Sequence, residues 1–518
     1  MKAERLFRVL GLVDGDLIEE ASSPTAGRRS PRRWAAAAAC LAVVCAVGAG
    51  WLVTVGFRGM GSSAPGESAD SGIATDNEPL HVDGTTFMSY AGPVFPLTLM
   101  DETEGLTAER KTTWDFTTGT YQDGSPRQWG TTVADSYMLV NSTDSDQTVT
   151  ALYPFAGAFT ELAAQRPTVT VDGEEAEAAL YAGAYAGGFR DAGVDDGSTW
   201  NLAYPDSWTD YKALLESGAY LDQALEDVPA LDQPVTVYEF TDFEAPANYD
   251  AATQAIEFTI DRNKTTILTY GFNGGSLDPD TGWQQHSYFV PNGVRRDKGP
   301  KLLVVLGDDI GDYALGGYEN GGCEKELDGV SCTVTRREMT LDTVLDQICR
   351  SYLETYADWQ YGMEADEMAA VPYALFRRAV GELMVQYGVL SVQPVDRYGD
   401  GRLDDMVSEA MSQQRVLYLA VPVTIPAGNS VDIMFKFWKE PSYDFGCSGS
   451  ENVGLQGYDL VTRLGSALDF TGQTAALAHA ENIQIVRQNF GFDLKNGVTE
   501  VALNPETEHY YLEIRVKA

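Results

Sequence analysis

Between Trp34 and Phe57 the chain runs for 24 residues without a charge, directly after Arg28, Arg29, Arg32 and Arg33. A helix of that length spans about 36 Å, enough to cross a hydrocarbon core of about 30 Å with some tilt. Four arginines precede the run, and a single Arg58 followed by acidic sequence comes after it. The positive-inside rule then puts the N-terminus in the cytoplasm and the C-terminal bulk outside, which predicts a single-pass protein of the cell membrane. A cleavable signal has an apolar run of about 7–15 residues, shorter than this one. Lipid attachment fits no better, because Cys40 follows just six apolar residues and Cys45 follows the branched Val44.

Charge narrows the partners. Residues 1–33 hold seven Lys/Arg and five Asp/Glu, and the rest of the chain holds 29 and 71. So acidic an outer part is a poor ligand for nucleic acid or anionic lipid, and no nucleic-acid partner is expected. With 44% hydrophobic and 11% aromatic residues, the chain has ample material for packed cores.

The organisation expected along the chain is a cytoplasmic tail (1–33), a transmembrane helix (34–57) and a Gly/Ser-rich flexible linker (58–80). A β-sandwich-like domain (81–234) comes next, with a helical insertion at about 204–227. It is succeeded by a second β-rich domain (235–339), a helical block (340–414) and a C-terminal β-rich region (415–518) packed with 235–414. Strand signals are short β-branched and aromatic runs bounded by Asp/Asn/Ser/Gly turns, such as Ser136 to Val140 and Val149 to Tyr153. The runs Val416 to Val423 and Val431 to Trp438, separated by Pro426-Ala-Gly-Asn429, read as a hairpin. Phe376, Ala379, Val380, Leu383, Met384 and Tyr387 trace a 3.6-residue stripe on a helix with Pro372 in its first turn. The fold class is therefore mostly β with an α block (α+β), with antiparallel β-sandwich-like ectodomains on a single N-terminal transmembrane helix.

Motifs for catalysis are missing. The four histidines, His81, His286, His479 and His509, show no zinc-ligand spacing, and nucleophile-elbow, P-loop and dinucleotide fingerprints do not occur. The expectation is a protein that is not an enzyme and carries no cofactor. Asp308, Asp309 and Asp312 form the densest acidic group and read as a solvated turn that caps the next stretch of chain. Asp396, Asp400 and Asp404 imitate positions 1, 5 and 9 of a calcium loop, but Val407 stands where the bidentate Glu belongs. That loop is the one candidate for Ca²⁺. The tryptophans Trp114, Trp129, Trp200, Trp208, Trp283, Trp359 and Trp438 read as core anchors, the rival being a sugar-binding face. Cys349 falls on the apolar border of a helix and reads as an inert thiol. For Cys323 the pairing alternatives are Cys447 and Cys332, and spacing does not decide between them. In the tail, Leu6, Phe7 and Leu10 form one short helical pattern and Leu17 and Ile18 another. Phe7, Leu10, Leu17 and Ile18 are its candidate partner-binding residues.

The tail phrase Leu12 to Ala21, the basic patch and the Ala-rich anchor resemble the start of single-pass proteins of Gram-positive bacteria, some with anti-sigma-like tails. The segments Leu306 to Tyr313, Gly317 to Cys323, Pro441 to Asn452 and Ile485 to Phe492 resemble a family of membrane-anchored extracytoplasmic proteins with no assigned activity. That resemblance implies a sigma factor or other cytoplasmic regulator as partner of the tail, and it favours Cys323 with Cys447 for a disulfide. The function expected is non-catalytic envelope interaction or sensing with signalling through the tail. A cell-envelope scaffold or glycan-binding module with a passive tail is the alternative, and a carboxylate-dependent ectodomain hydrolase the third reading.

Overall fold

The computed structural model describes residues 91–100, 103–120, 126–127, 129–185, 224, 230–291, 299–355, 362–391, 401–444, 454–463 and 465–517. The tail, the Trp34–Phe57 stretch, the linker and nearly all of the 204–227 insertion lie outside these residues. Among the described residues no helix is long and apolar enough to cross a membrane.

The described chain is mostly β and forms several sheets. A seven-stranded sheet runs in the order Glu500–Ala502, Asp469–Ala478, Leu106–Asp115, Thr131–Asn141, Ser430–Lys439, Thr168–Val171, Glu174–Glu175. It faces a four-stranded sheet of Thr98–Leu99, Gln147–Gly157, Arg415–Ile425 and Ala179–Tyr185. Strict alternation dictates the inner face: Thr131, Val133, Asp135, Tyr137, Leu139 and Asn141 are all buried while the residues between them are half-exposed. Across the interior, Tyr153 of one sheet stacks on Phe435 of the other at 4.0 Å.

The predicted hairpin is an arch instead. Arg415–Ile425 pairs with Gln147–Gly157, whereas Ser430–Lys439 pairs with Thr131–Asn141, so the chain crosses between sheets at Pro426 to Asn429. The chain crosses in the same way between Asn141 and Gln147. Asn141 ties the two arches together, its amide donating to Ser145 O at 2.8 Å, Ile425 O at 3.0 Å and Pro426 O at 3.3 Å. The C-terminal strands thus pair with strands of the 98–185 region, and their inward residues share one core with residues of 235–414. Leu106–Asp115 lies parallel to Asp469–Ala478 and antiparallel to Thr131–Asn141. A further sheet, Tyr443–Asp444, Gln456–Val461, His509–Val516 and Ile483–Gln488, adds to the same core. Near it Trp114 meets Phe490 edge-on at 5.3 Å.

Residues 234–340 make a second sandwich. One sheet orders Thr265–Tyr270, Lys301–Gly307, Pro234–Glu244 and Ser331–Thr340; the other orders Gly274–Leu277, Trp283–Phe289, Thr253–Thr259 and Tyr313–Tyr318. Within the first of these sheets the strand Lys301–Gly307 has Lys301 to Val305 buried on both faces, which fits the uninterrupted apolar run Leu302 to Leu306. Leu303, Val305, Tyr238 and Phe240 point into the sandwich. Leu302, Val304, Val235 and Val237 join the other core, which also contains the helices Leu341–Thr355, Tyr373–Gln386 and Leu403–Ser412. The helical stripe is buried as its spacing dictates, with Phe376, Val380, Leu383 and Met384 at 0% exposure. Pro372 sits one place earlier than expected, at the N-cap, with extended backbone (φ −71°, ψ 112°). The helices lie between the two sandwiches, and Phe159 of the first meets Phe376 at 6.3 Å.

Candidate functional site

The strand Ser430–Lys439 alternates cleanly: Val431, Ile433, Phe435 and Phe437 face the core and Ser430, Asp432, Met434 and Lys436 face out. That phase carries the last residue, Lys439, inward. It is buried at 6% exposure, and its ammonium donates to Glu440 O at 3.0 Å and Ala91 O at 3.4 Å. Burial pulls the Lys439 ammonium down to about 8, with the charges of Glu440, Asp459 and Glu161 acting the other way.

Two carboxylates share this corner. Glu161 ends the single turn Phe159–Glu161, and its Oε2 accepts from Gln165 Nε2 at 2.7 Å and Gln414 Nε2 at 3.1 Å. Glu440 comes directly after the strand and faces Arg127 at 3.6 Å. Burial raises the pKa of Glu161 despite the two amide hydrogen bonds. Burial also pushes Glu440 up, to about 7, and the neighbouring Glu161 charge adds to the shift while Arg127 and Lys439 oppose it. The Glu161 charge adds to the rise of Glu440, so the two carboxyls are linked in their titration. Perturbation by burial together with specific charge partners is a physical mark of a functional site.

An indole walls the outer side. Trp438 points out of the sheet, and the Arg127 guanidinium lies 4.4 Å from the centre of its ring. The chain passes so close that glycine is required. A Cβ on Gly119 would stand 2.7 Å from the Trp438 ring, and one on Gly130, at φ +114°, would stand 2.6 Å from the indole nitrogen. The corner therefore combines two carboxylates, two amides, a guanidinium, an ammonium and an indole. Such a set can take up and release a proton near pH 7 and can hydrogen-bond a polar ligand.

Apart from Trp438, which the sequence offered as a core anchor or part of a sugar-binding face, none of these residues stood out in the sequence as chemistry. The usable signal was phase: a Lys-Glu pair closing an alternating strand, with the Lys at an inward position. Glu161 and Gln165 are four apart on a turn too short for periodicity to show.

The residues singled out from sequence are spread widely. Phe7, Leu10, Leu17, Ile18, Asp396, Asp400 and Cys447 lie outside the described residues. Asp404 is half-buried in the first turn of its helix and both its oxygens accept the Gly271 amide, at 2.9 and 3.1 Å. Cys323 and Cys332 are both free thiols, so they are not bonded to each other, and Cys349 is buried with its thiol pushed up to about 12. Asp309 accepts the Ile310 amide at 2.9 Å, and it also binds Tyr238 at 2.7 Å and Arg336 at 2.9 Å. Asp308 and Asp312 are exposed. Trp114 is a core anchor at 0% exposure, while Trp129, Trp283 and Trp438 are half-exposed. No group of three His, Cys, Asp or Glu placed to hold a metal occurs among the described residues.

One other cluster has the right residue types. His479 Nδ1 lies 2.7 Å from Asp115 Oδ1 and 2.8 Å from Thr117 Oγ1. A nucleophilic relay needs the hydroxyl on one ring nitrogen and the carboxylate on the other, so this arrangement is not one. Comparison with family models, curated proteins and solved structures gives no match.

Proposed function

We propose that this chain is a membrane-tethered extracytoplasmic interaction or sensing protein. Its folded body stands outside the membrane, and its short tail contacts a cytoplasmic regulator, such as a sigma factor, through Phe7, Leu10, Leu17 and Ile18. The observation that carries the reading is the 24-residue charge-free stretch with arginines on one side only. The acidic composition of the body and its β-sandwich build are consistent with display in the envelope. So is the corner around Glu161 and Glu440, where a polar ligand would meet amides, carboxylates and an indole.

The test is made on intact cells. With the six native cysteines changed to Ser, cysteines placed singly at Ser22 and Ser430 are probed with a membrane-impermeant maleimide, and labelling confined to position 430 is expected. Labelling at 22, or protection of 430 until lysis, overturns the topology. Changing Phe7, Leu10, Leu17 and Ile18 together to Ser should then remove a cytoplasmic protein from crosslinked pull-downs. Unchanged partners would reduce the tail to an anchor extension.

A second reading, carboxylate-dependent hydrolysis of a glycan, is favoured by one feature, the two neighbouring carboxyls Glu161 and Glu440, both with raised pKa values. Turnover of cell-wall glycan by the purified chain that is lost in both Glu161→Gln and Glu440→Gln would replace the binding reading with this one.

A further inference from the structure

We propose that the strand Tyr313–Tyr318 is a docking edge, which takes an extended segment of a partner protein as an added antiparallel strand of apolar–basic–apolar sequence. This edge belongs to the second sandwich, not to the Glu161–Glu440 corner, and its role goes beyond the reading above.

Tyr313–Tyr318 closes one side of its sheet, and its strand partner is Thr253–Thr259. Along a strand, alternate residues turn N–H and C=O towards opposite neighbours. The Gly317 carbonyl accepts the Leu327 amide at 2.8 Å on the side away from Thr253–Thr259. Tyr313 and Leu315 are in phase with Gly317, so their N–H and C=O groups also point out of the sheet. Nothing among the described residues meets those four groups. Beyond them the lane is taken: Lys325 to Leu327 return beside Gly317 to Glu319, with the Glu319 amide donating to Lys325 O at 3.0 Å. Gly317 has no room for a side chain under this cover, since a Cβ there would stand 2.5 Å from the Val330 Cβ. The open stretch is therefore Tyr313 to Gly316.

Sheet edges are ordinarily blunted by charge, shortness or a bulge. Ser331–Thr340, an edge of the facing sheet, carries Arg336, Arg337 and Glu338. Glu174–Glu175 is two residues long and acidic, and Ile483–Gln488 is bulged between Ile485 and Arg487. Tyr-Ala-Leu-Gly-Gly-Tyr has no charge, no proline and an unbroken register.

The side chains specify the occupant. Tyr313 and Leu315 pair with Phe258 and Ile256 on the inner face, where Tyr313 meets Tyr238 edge-on at 5.7 Å. Even so, 39% and 40% of their surface stays exposed. Apolar residues of an added strand directly opposite them lie on the same face and cover both. The residue between those two projects to the other face, beside Ala314. Ala314 pairs with Glu257, and its methyl group is too small to screen that carboxylate. Glu257 Oε1 accepts from Gln285 Nε2 at 2.7 Å and from the Tyr318 hydroxyl at 3.1 Å, both neutral, and no cation pairs with it among the described residues. A Lys or Arg at the central position reaches across Ala314 and supplies one. Asp308 and Asp312, exposed just before the strand, disfavour an acidic occupant, and so does the chain's net charge of −40 against a second copy.

The probe is an end-blocked, fluorescein-labelled peptide, Thr-Val-Arg-Val-Thr, titrated against the full-length protein by fluorescence anisotropy. Saturable binding is expected, and it should be about tenfold weaker in Leu315→Pro, which deletes one outward N–H and leaves the bonds to Thr253–Thr259 in place. Glu257→Gln should weaken it about threefold, and Glu in place of the central Arg of the peptide should weaken it further. Hydrogen exchange should show the Tyr313 and Leu315 amides slowed by the peptide. Absence of saturable binding, unslowed amides in the complex, or unchanged binding by Leu315→Pro overturns the docking edge. Equal binding of the Arg and Glu peptides overturns the basic partner. If Leu315→Pro disturbs exchange in Thr253–Thr259, Leu315→Lys replaces it with the same loss expected, because an edge lysine opposes strand addition without touching the ladder. A dimer of the protein alone, seen by sedimentation and abolished by Leu315→Lys, would give the edge to a second copy and overturn the partner named here. None of these readouts depends on topology, so failure of the peptide leaves the membrane reading standing, and failure of the maleimide pattern leaves this edge standing.

Discussion

The two sandwiches solve the same problem with opposite means. The first buries a charge pair at its centre: Arg110 grips Asp135 through two hydrogen bonds of 3.0 and 2.9 Å, both side chains fully buried. Thr112 at 2.6 Å and Tyr137 at 2.6 Å complete the carboxylate, and Arg110 also donates to Phe95 O and Val461 O. Those last two bonds tie in the segment before Thr98–Leu99 and the strand Gln456–Val461. The core of the second sandwich is aromatic and aliphatic, built round Phe240, Phe258, Phe272 and Tyr288. Ion pairs such as Arg336–Asp309 and Arg337–Glu239 stay at its rim. The second is assembled from one continuous stretch of 107 residues (234–340), whereas the first draws strands from both ends of the chain. Where strands come from far apart in sequence, a polar keystone specifies which of them meet; where neighbours pair with neighbours, apolar packing suffices.

This contrast can be broken by mutation. The largest effect is expected from Asp135→Ala, which strands the buried Arg110 charge and should cost about 3–5 kcal/mol. Urea unfolding monitored by near-ultraviolet circular dichroism should show the first sandwich lost at lower denaturant. A loss below about 1 kcal/mol would show that the keystone contributes little. In the second sandwich, Leu303→Ala removes a fully buried side chain and should cost about 2–5 kcal/mol. Hydrogen exchange should place that loss in residues 234–340, and an equal loss across both sandwiches would merge them into one cooperative unit.

Asp404 sharpens the comparison through pH. Burial pushes its carboxyl up to about 6 from the ordinary value of 3.8, against the hydrogen bonds from Gly271. The folded state therefore holds the proton more tightly than the unfolded state. The stabilisation from this group is full below about pH 4 and is lost as pH rises through 6. Asp404→Asn should raise stability at pH 7.5 by about 1–2 kcal/mol, the gain fading to nothing near pH 4. Thermal melts at the two pH values check it, and a destabilised variant at pH 7.5 would mean that the ionised form is the one the fold wants. The smallest effect is expected from Arg336→Ala, whose half-exposed pair with Asp309 should contribute less than about 1 kcal/mol. A larger loss, measured by the same melts, would make the rim charges part of the second sandwich's stability.

Legibility tracked locality too. The strands around Val235 to Phe240, Ile256 to Ile260 and Leu302 to Leu306, and all three long helices, were readable because each is a contiguous apolar pattern. The strand Tyr313–Tyr318 was not, because its sequence Tyr-Ala-Leu-Gly-Gly-Tyr lacks alternation and takes its shape from pairing with Thr253–Thr259. Ser331–Thr340 was hidden by its charges, which suit an edge strand. The arch at Pro426 to Asn429 has the residues of a hairpin turn, and only the competing partners Gln147–Gly157 and Thr131–Asn141 make it an arch. For the Glu161–Glu440 corner, the sequence separation of 279 residues removed any local trace.

The parallel pairing of Leu106–Asp115 with Asp469–Ala478 has a consequence in time. Between the end of Thr131–Asn141 and the start of that partner the ribosome must add about 330 residues, which takes about 15–65 s at 5–20 residues per second. Throughout that interval one side of the Leu106–Asp115 strand waits without its neighbour, while every strand of the later-encoded sandwich is already available by residue 340. The half of the body that is translated first is thus the half that is completed last, and a nascent-chain holdase would act on it.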